Sequence, residues 1–382
     1  MSAKSKTLEG NVLLVANWPS DVGYAWWLME SYWVAISKHL SSNKVLLAYP
    51  QINKVPSEIQ SSAIDCLPHN FKRGGVIGLI RNCRLIRRHH IKLIYLTDYP
   101  LSSISYFFYR ISGVKFIITH DHTPGIRCVP QGLKKAVKTL FANLPLMSVD
   151  GAFGATLFVT ERLQNTGCLK KDKCFTVQNG IEIKGDESIN KAAAWLPKEG
   201  DFAIVTAARA NRYKGGLFAL RVIKCLKDRG MSNVKYVFCG DGPHLDDFKN
   251  FAAELGLQEH CFFPGRVEDV SSYFSHFSIG FQPSNGEVGY SLSILEYMAA
   301  GLPVIVPNNP SVCGATKHNC SGRIYKDRDV ESAANQIEFY AKDTAACNKH
   351  GQFAREEIFK RYALVKTHEA LIKSLNAVIS SK

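Results

Sequence analysis

At 382 residues, with 46% hydrophobic and 21% charged positions, the chain is long enough for two cores and excludes a disordered or fibrous class. Its net charge of +14 is uneven, with 23 Lys and Arg against 13 Asp and Glu in residues 1–190 and 24 against 20 in the remainder. No run of 18 apolar residues occurs, "MSAKSKTLEG" lacks the apolar stretch of a signal peptide, and eleven cysteines without CxxC spacing fit reduced thiols, so a cytoplasmic protein with no cysteine-built metal site is expected.

In chain order, "NVLLVANW", "KVLLAYP", "IKLIYLTD", "VKFIITHDH" and "VDGAFGATLFVT" are apolar, β-rich runs separated by helical stretches. That alternation predicts a parallel sheet covered on both faces. Between the second and third runs, "HNFKRGGVIGLIRNCRLIRRHH" places Arg81, Arg84 and Arg88 on one helical face and Val76, Leu79, Ile80, Cys83 and Ile86 on an apolar one. A basic face of this kind can be solvated surface, a nucleic-acid patch or a site for anionic lipid headgroups. Nucleic acid is not an expected partner, because neither an RNP-type motif nor a helix-turn-helix signal accompanies the charge. Trp26, Trp27 and Trp33 recur at helical spacings and read as packing.

After the polar stretch "IEIKGDESINKAAAWLPKEG" the pattern restarts with "DFAIVTAAR", "VKYVFCGDG", "CFFPGRV", "FSIGFQPS" and "LPVIVP". The expected division is therefore 1–183, a linker at 184–200, a second domain at 201–360 and a C-terminal helix at 361–382 returning toward the first domain, with "GQFAREEIFKRYALVKTHEALIKSLNAVIS" helical throughout. In open α/β sheets, ligands lie beyond the carboxyl ends of the strands. "TAARANRYKGG" sets Arg209 and Lys214 there, beside Gly215 and Gly216 at a helix start, a combination suited to a diphosphate. In "PSNGEVGYSLSILEYMAAGLPVIVP", Ser291 is the expected N-cap and Gly301 the C′ residue, and Pro303 forbids continuation. Leu292, Leu295 and Ala299 then form one stripe, with the acid Glu296 about 40° from Leu292, where a carboxylate is costly to bury without a partner.

Taken together, R-x4-K-G, "GDGP", "FPGRV" and "PS…GYSLSILEYMAAGLPVI" resemble the C-terminal domain of the retaining GT-B glycosyltransferases of family 4. "VQNGIEI" is similar to that family's segment before the interdomain linker, and "THDH" to its histidine loop. The resemblance implies two Rossmann-like doubly wound domains facing a central cleft, a nucleoside diphosphate sugar as donor, retention at the anomeric carbon and no metal. It assigns Arg209 and Lys214 to the diphosphate, Glu296 to the ribose hydroxyls, the backbone of Gly289, Tyr290, Ser291 and Leu292 to the distal phosphate, and Arg266 and Val267 to the nucleobase pocket. Gly215 falls at the phosphate loop and Gly23 at the first βα turn, where Val22 replaces the usual paired glycine. His120 closes its strand as the family's functional histidine does, with His122 the alternate. The implied acceptor is a glycan or lipid-linked hydroxyl in polysaccharide or glycoconjugate synthesis, and the basic helix carrying Arg81, Arg84 and Arg88 makes an anionic inner membrane face the expected partner surface. An epimerase on the same fold and a silent nucleotide-sugar-binding subunit are the rival readings.

One departure stands out. The family pattern is Glu, seven residues, Glu, and the position eight before Glu296 is Val288. Either Glu287 reaches in from the neighbouring position, or the sugar contact is lost and the donor is unusual. Two other motifs are discounted: Asp327–Asp329 matches a metal-binding triplet, yet Asp329 precedes a helix and reads as its cap, and the sequon at Asn319 is irrelevant in the cytoplasm.

Overall fold

The structure, a computed structural model, describes residues 8–23, 26–72, 74–183 and 193–381. Residues 184–192 of the expected linker lie outside the described residues. The chain divides into two compact units, one of Met1–Thr123, Arg127–Asn179 and Val365–Lys382, the other of Pro124–Ile126 and Gly180–Leu364.

In the first unit, β1 (Asn11–Val15), α1 (Trp27–His39), β2 (Val45–Tyr49), α2 (Ser57–Gln60), β3 (Ile64–Pro68), α3 (Gly75–Arg88), β4 (Ile91–Thr97), α4 (Ile104–Ile111), β5 (Phe116–Asp121), α5 (Gly132–Ala142), β6 (Gly151–Gly154), α6 (Leu157–Asn165) and β7 (Cys174–Thr176) follow one another. The strands form one parallel sheet in the order β3-β2-β1-β4-β5-β6-β7. The order reverses between β1 and β4, and there Asn17 Nδ2 donates to the Thr97 carbonyl, tying the two strand ends together.

The second unit carries β8 (Phe202–Ala207), α7 (Gly216–Asp228), β9 (Val234–Cys239), α8 (Leu245–Glu254), β10 (Cys261–Gly265), β11 (Ile279–Phe281), α9 (Leu292–Ala299), β12 (Val304–Pro307), β13 (Gly322–Tyr325), α10 (Val330–Lys342) and α11 (Thr344–Glu357). Its sheet runs β10-β9-β8-β11-β12-β13, with the reversal between β8 and β11. Both faces are buried, as a parallel sheet requires: Ile204 points into the core under α7 and α10, while Ala203, Val205 and Ala207 point into the core under α9 and α11.

Three expectations need correction. "VDGAFGATLFVT" is not one strand: the Thr156 side chain accepts the Val159 N–H and starts α6, so the strand ends at Gly154. The apolar face expected for α3 is not wholly inward, because the buried stripe is Gly78, Asn82 and Ile86. Asn82 is accommodated by hydrogen bonds to Tyr109 Oη at 2.8 Å and His69 Nε2 at 2.7 Å, while Val76 and Ile80 face solvent. The tail is not helical throughout. A π-helical turn, Ile358–Tyr362, ends at an extended Ala363, and the final helix α12 (Leu364–Ser380) starts afresh. The break has a cause in sequence-distant backbone: Ile181 donates to the Tyr362 carbonyl at 2.9 Å and accepts from Leu364 at 2.8 Å. Trp33 is fully buried and Trp18 stacks on Trp26 at 3.5 Å, which is packing. Asp329 caps α10 by accepting the Ser332 N–H at 3.0 Å.

Candidate functional site

In the second unit the loops that follow β8 and β11 flank the point where strand order reverses, the position at which open α/β sheets bind ligands. Thr206 Oγ1 donates to the Phe281 carbonyl at 2.6 Å and locks the two strands just before those loops begin. Gly215, at φ +80°, is required: a Cβ there would lie 2.0 Å from the Pro283 carbonyl oxygen. The glycines of "CGDGP" serve the same close approach, since a Cβ on Gly240 would meet the Ala208 carbonyl at 1.8 Å. Ala210 N–H donates to the Asp241 carbonyl at 2.9 Å, so this turn buttresses the loop that carries Arg209.

Lys214 and Glu287 meet here. Lys214 Nζ donates to Glu287 Oε1 at 2.6 Å, with the two side chains only 14% and 9% exposed. Ser284 Oγ and Gln282 Nε2 also donate to Oε1, at 2.7 and 3.3 Å, while Oε2 makes none of these contacts. Burial works against the Lys214 charge, but the Glu287 carboxylate and Tyr213 outweigh it and leave the ammonium above the ordinary lysine range. The pair thus sets a cation against a carboxylate at the carboxyl ends of the central strands β8 and β11, held by two loops that sequence separates widely.

α9 begins as expected, with the Ser291 side chain accepting the Ile294 N–H. It ends with Gly301 donating to the Met298 carbonyl and Leu302 to the Tyr297 carbonyl, each at 3.0 Å, the reciprocal pattern of a left-handed C′ glycine. Glu296 is half-buried on this helix and Leu292 half-buried at its first position. The expected amide cap is shorter than four residues: Gly289 N–H already donates to the Ser311 carbonyl at 2.7 Å, so it is not presented to a ligand. Tyr290 is a core side chain, packed edge-on to Tyr362. The first amides of α9 remain the donors without intrahelical partners. Arg209 and Arg266 are exposed on their loops, and Val267 packs against the core under α9.

The other two expected residues belong to the first unit. Gly23 sits in the loop after β1 at φ +70° with open space where a Cβ would stand, so backbone conformation explains it. His120, at the end of β5, is fully buried, with Nδ1 2.5 Å from Tyr95 Oη and Nε2 without a hydrogen-bond partner. Its ring stacks on Tyr32 and lies 4.1 Å from that of His122. Burial, aided by His122, pushes the His120 pKa well below the ordinary value. For His122 burial lowers it to about 4, against the opposing pull of Asp121 and Asn179.

Sequence reasoning did not single out Ser284, Gln282 and Ser311, which hold the Glu287 loop, nor Tyr95, Asp98 and Arg162 around His120. Asp98 had a signal, as the polar residue closing "IKLIYLTD". It accepts the His122 N–H at 2.6 Å, and burial raises its pKa to about 7; that hydrogen bond opposes the rise and the Asp121 charge adds to it. A carboxyl whose folded pKa exceeds its unfolded value of about 3.9 favours the folded state less as pH rises between the two. Asp98→Asn is therefore expected to raise the melting temperature by an amount absent near pH 4, growing to about pH 7 and constant above it, as read by thermal denaturation across pH. A gain independent of pH would remove ionisation as the cause.

A family model for glycosyl transferases group 1 matches residues 188–357. An uncharacterized glycosyltransferase of Haemophilus influenzae is 30% identical over 145 residues, 37% of this chain and 40% of that protein. The chain thus spans less than half the length of that relative. The UDP-Gal:alpha-D-GlcNAc-diphosphoundecaprenol alpha-1,3-galactosyltransferase of Escherichia coli is 22% identical over 301 residues, 75% of this chain and 76% of that protein. Among solved structures, a glycosyltransferase from Rickettsia africae superposes with a TM-score of 0.79 at 16% identity, over 98% of this chain and 100% of that one. The fold is GT-B. Within this GT-B chain the family match falls on the half that carries the Lys214–Glu287 pair, whereas the structural likeness extends to the half that carries His120. Among the described residues, no group of three or more His, Cys, Asp or Glu is placed to hold a metal ion.

Proposed function

We propose that this chain transfers a sugar, with retention, from a nucleoside diphosphate sugar to a hydroxyl of a glycan or lipid-linked acceptor, working without a metal at the cytoplasmic side of a membrane. The observation that carries the reading is the buried Lys214–Glu287 pair at the switch point of the second sheet, on the loops that follow β8 and lead into α9. As the sugar departs, charge develops on the diphosphate. Arg209, Lys214 and the first amides of α9 stabilise it where it forms, which lowers the barrier more than it tightens ground-state binding. Glu287 has two roles in this reading: Oε1 anchors Lys214, and Oε2 accepts a hydroxyl of the donor sugar, replacing the acid absent at Val288. Among the described residues no carboxylate is set up as a covalent nucleophile, and the family resemblance supports attack on the face the leaving group vacates, with the departing phosphate taking the acceptor proton. The wide match to the diphosphoundecaprenol galactosyltransferase supports a lipid-linked acceptor and a nucleoside diphosphate donor.

The test is a panel of nucleotide sugars, incubated with the protein with and without lipid-linked and glycan acceptors and with EDTA. The expected result is acceptor-dependent release of nucleoside diphosphate, unaffected by chelation, with the product anomer matching the donor. Conversion of the donor sugar without acceptor indicates an epimerase, and binding without turnover a silent subunit; either overturns the reading. In the same assay Glu296→Gln keeps the side-chain shape but weakens acceptance from two ribose hydroxyls. Donor binding is expected to weaken by roughly 1–3 kcal/mol with the fold intact. A collapse of melting temperature with binding retained would instead make Glu296 a structural acid.

A further inference from the structure

In α5 every residue from Gly132 to Phe141 is exposed, and Ala142 alone is buried. Leu133, Val137, Leu140 and Phe141 are 80%, 46%, 64% and 55% exposed. At about 100° per residue these four fall within an arc of about 100°, while Lys134, Lys138 and Lys135 follow in the adjoining arc of about 100°, with Lys134 about 20° from Phe141. A helix with a clean apolar stripe ordinarily buries it against its own sheet, and this one does not.

We infer that α5 is an in-plane anchor for an anionic lipid bilayer, its apolar stripe entering the acyl boundary and its lysines meeting the headgroups. Charge selects the occupant. No Asp or Glu occurs between Asp121 and Asp150, and Arg127 adds to the three lysines. A second copy of the chain seated on this face by two-fold symmetry would set lysines against lysines, with no acid in the segment to receive them. The surroundings agree. The connections from β3 to β4, β4 to β5 and β5 to β6 step in one direction across the sheet, so right-handed crossovers put α3, α4 and α5 on one face. On that face α3 exposes Val76, Ile77 and Ile80 beside Arg81 and Arg84, and α4 exposes Ile104, Phe108 and Ile111. α3 thus adds charge and apolar surface to the same face and gives the anionic surface expected from its basic face a second point of attachment.

The inference stands apart from the transfer reading, because vesicle binding is measured without donor or acceptor. The full chain is sedimented at low salt with phosphatidylcholine vesicles and with vesicles carrying phosphatidylglycerol. Binding is expected to favour the anionic vesicles strongly and to weaken with salt. The triple change Lys134→Gln, Lys135→Gln, Lys138→Gln should lower partition by roughly 10²-fold, since each lysine near an anionic surface contributes several-fold. Leu140→Ser with Phe141→Ser should lower it by at least about tenfold, as two apolar side chains lose their insertion. Both variants change exposed positions and should keep the wild-type melting temperature. Phe141→Trp should show a blue-shifted emission component with anionic vesicles that wild type lacks. Equal partition to neutral and anionic vesicles overturns the inference. So does binding that the α5 variants leave unchanged, or a lipid-free dimer that Leu140→Ser with Phe141→Ser abolishes, which would assign the stripe to a second copy.

Discussion

Lys214→Ala is expected to lower turnover by on the order of 10² or more, because it removes a charge-assisted contact that strengthens as the diphosphate departs. Arg209→Ala should match it in kinetics but not in stability. Arg209 is exposed, whereas Lys214 is the cation facing a carboxylate that is itself almost wholly buried. Removing one member of such a pair leaves the other without compensation, so Lys214→Ala should also cost about 3 kcal/mol of folding stability. The two losses separate in the double variant Lys214→Met, Glu287→Gln. With the carboxylate neutralised and the aliphatic volume kept, the melting temperature should recover toward wild type while turnover stays low. Wild-type kinetics in both single variants would remove the basis for a diphosphate site at these residues.

Glu287→Ala is the second large effect, a loss of about 10² or more in activity, because a positioned hydrogen bond to the reacting sugar sets its orientation. The structure sharpens what this measures. Three hydrogen bonds converge on Oε1, and none of them uses Oε2. Glu287→Gln keeps an acceptor for Lys214 and Ser284 but not the charge, so it should retain more stability than the alanine variant and still lose much of its turnover. If the carboxylate serves only as an anchor for Lys214, both variants will lower the melting temperature, and donors differing at one hydroxyl will be used in wild-type proportions. In that case Val288, half-buried beside it, marks an altered donor pocket, and Val288→Glu should shift preference toward sugars with a free hydroxyl there.

What could be read from the chain was what local chemistry decides. Ser291, Gly301 and Pro303 bound α9 because capping and termination act within a few residues. The central strands were legible because burial on both faces makes them continuous apolar runs. β3, β7 and β13 were not, and all three are edge strands. "IDCLP" even carries an exposed acid, Asp65, paired with Lys44. Arg209 and Lys214 were recognisable from their place after a strand beside two glycines, but the Lys214 partner lies 73 residues on. No local pattern reveals such a pairing. The break at Ala363 was hidden for the same reason, since Ile181 imposes it from the other end of the unit.

The glycines at positions 215, 240 and 242 have a consequence for anyone seeking to redirect donor choice by randomised libraries. At each, a Cβ would stand within 2.7 Å of a neighbouring loop's carbonyl oxygen, so the phosphate loop, the "GDG" turn and the segment at Pro283 are fitted main chain to main chain. Codons there should return glycine almost without exception under selection for expression alone, before activity is screened. Diversity is better placed at Arg266, which is exposed on its loop next to Gly265, itself a position with open space around an added Cβ.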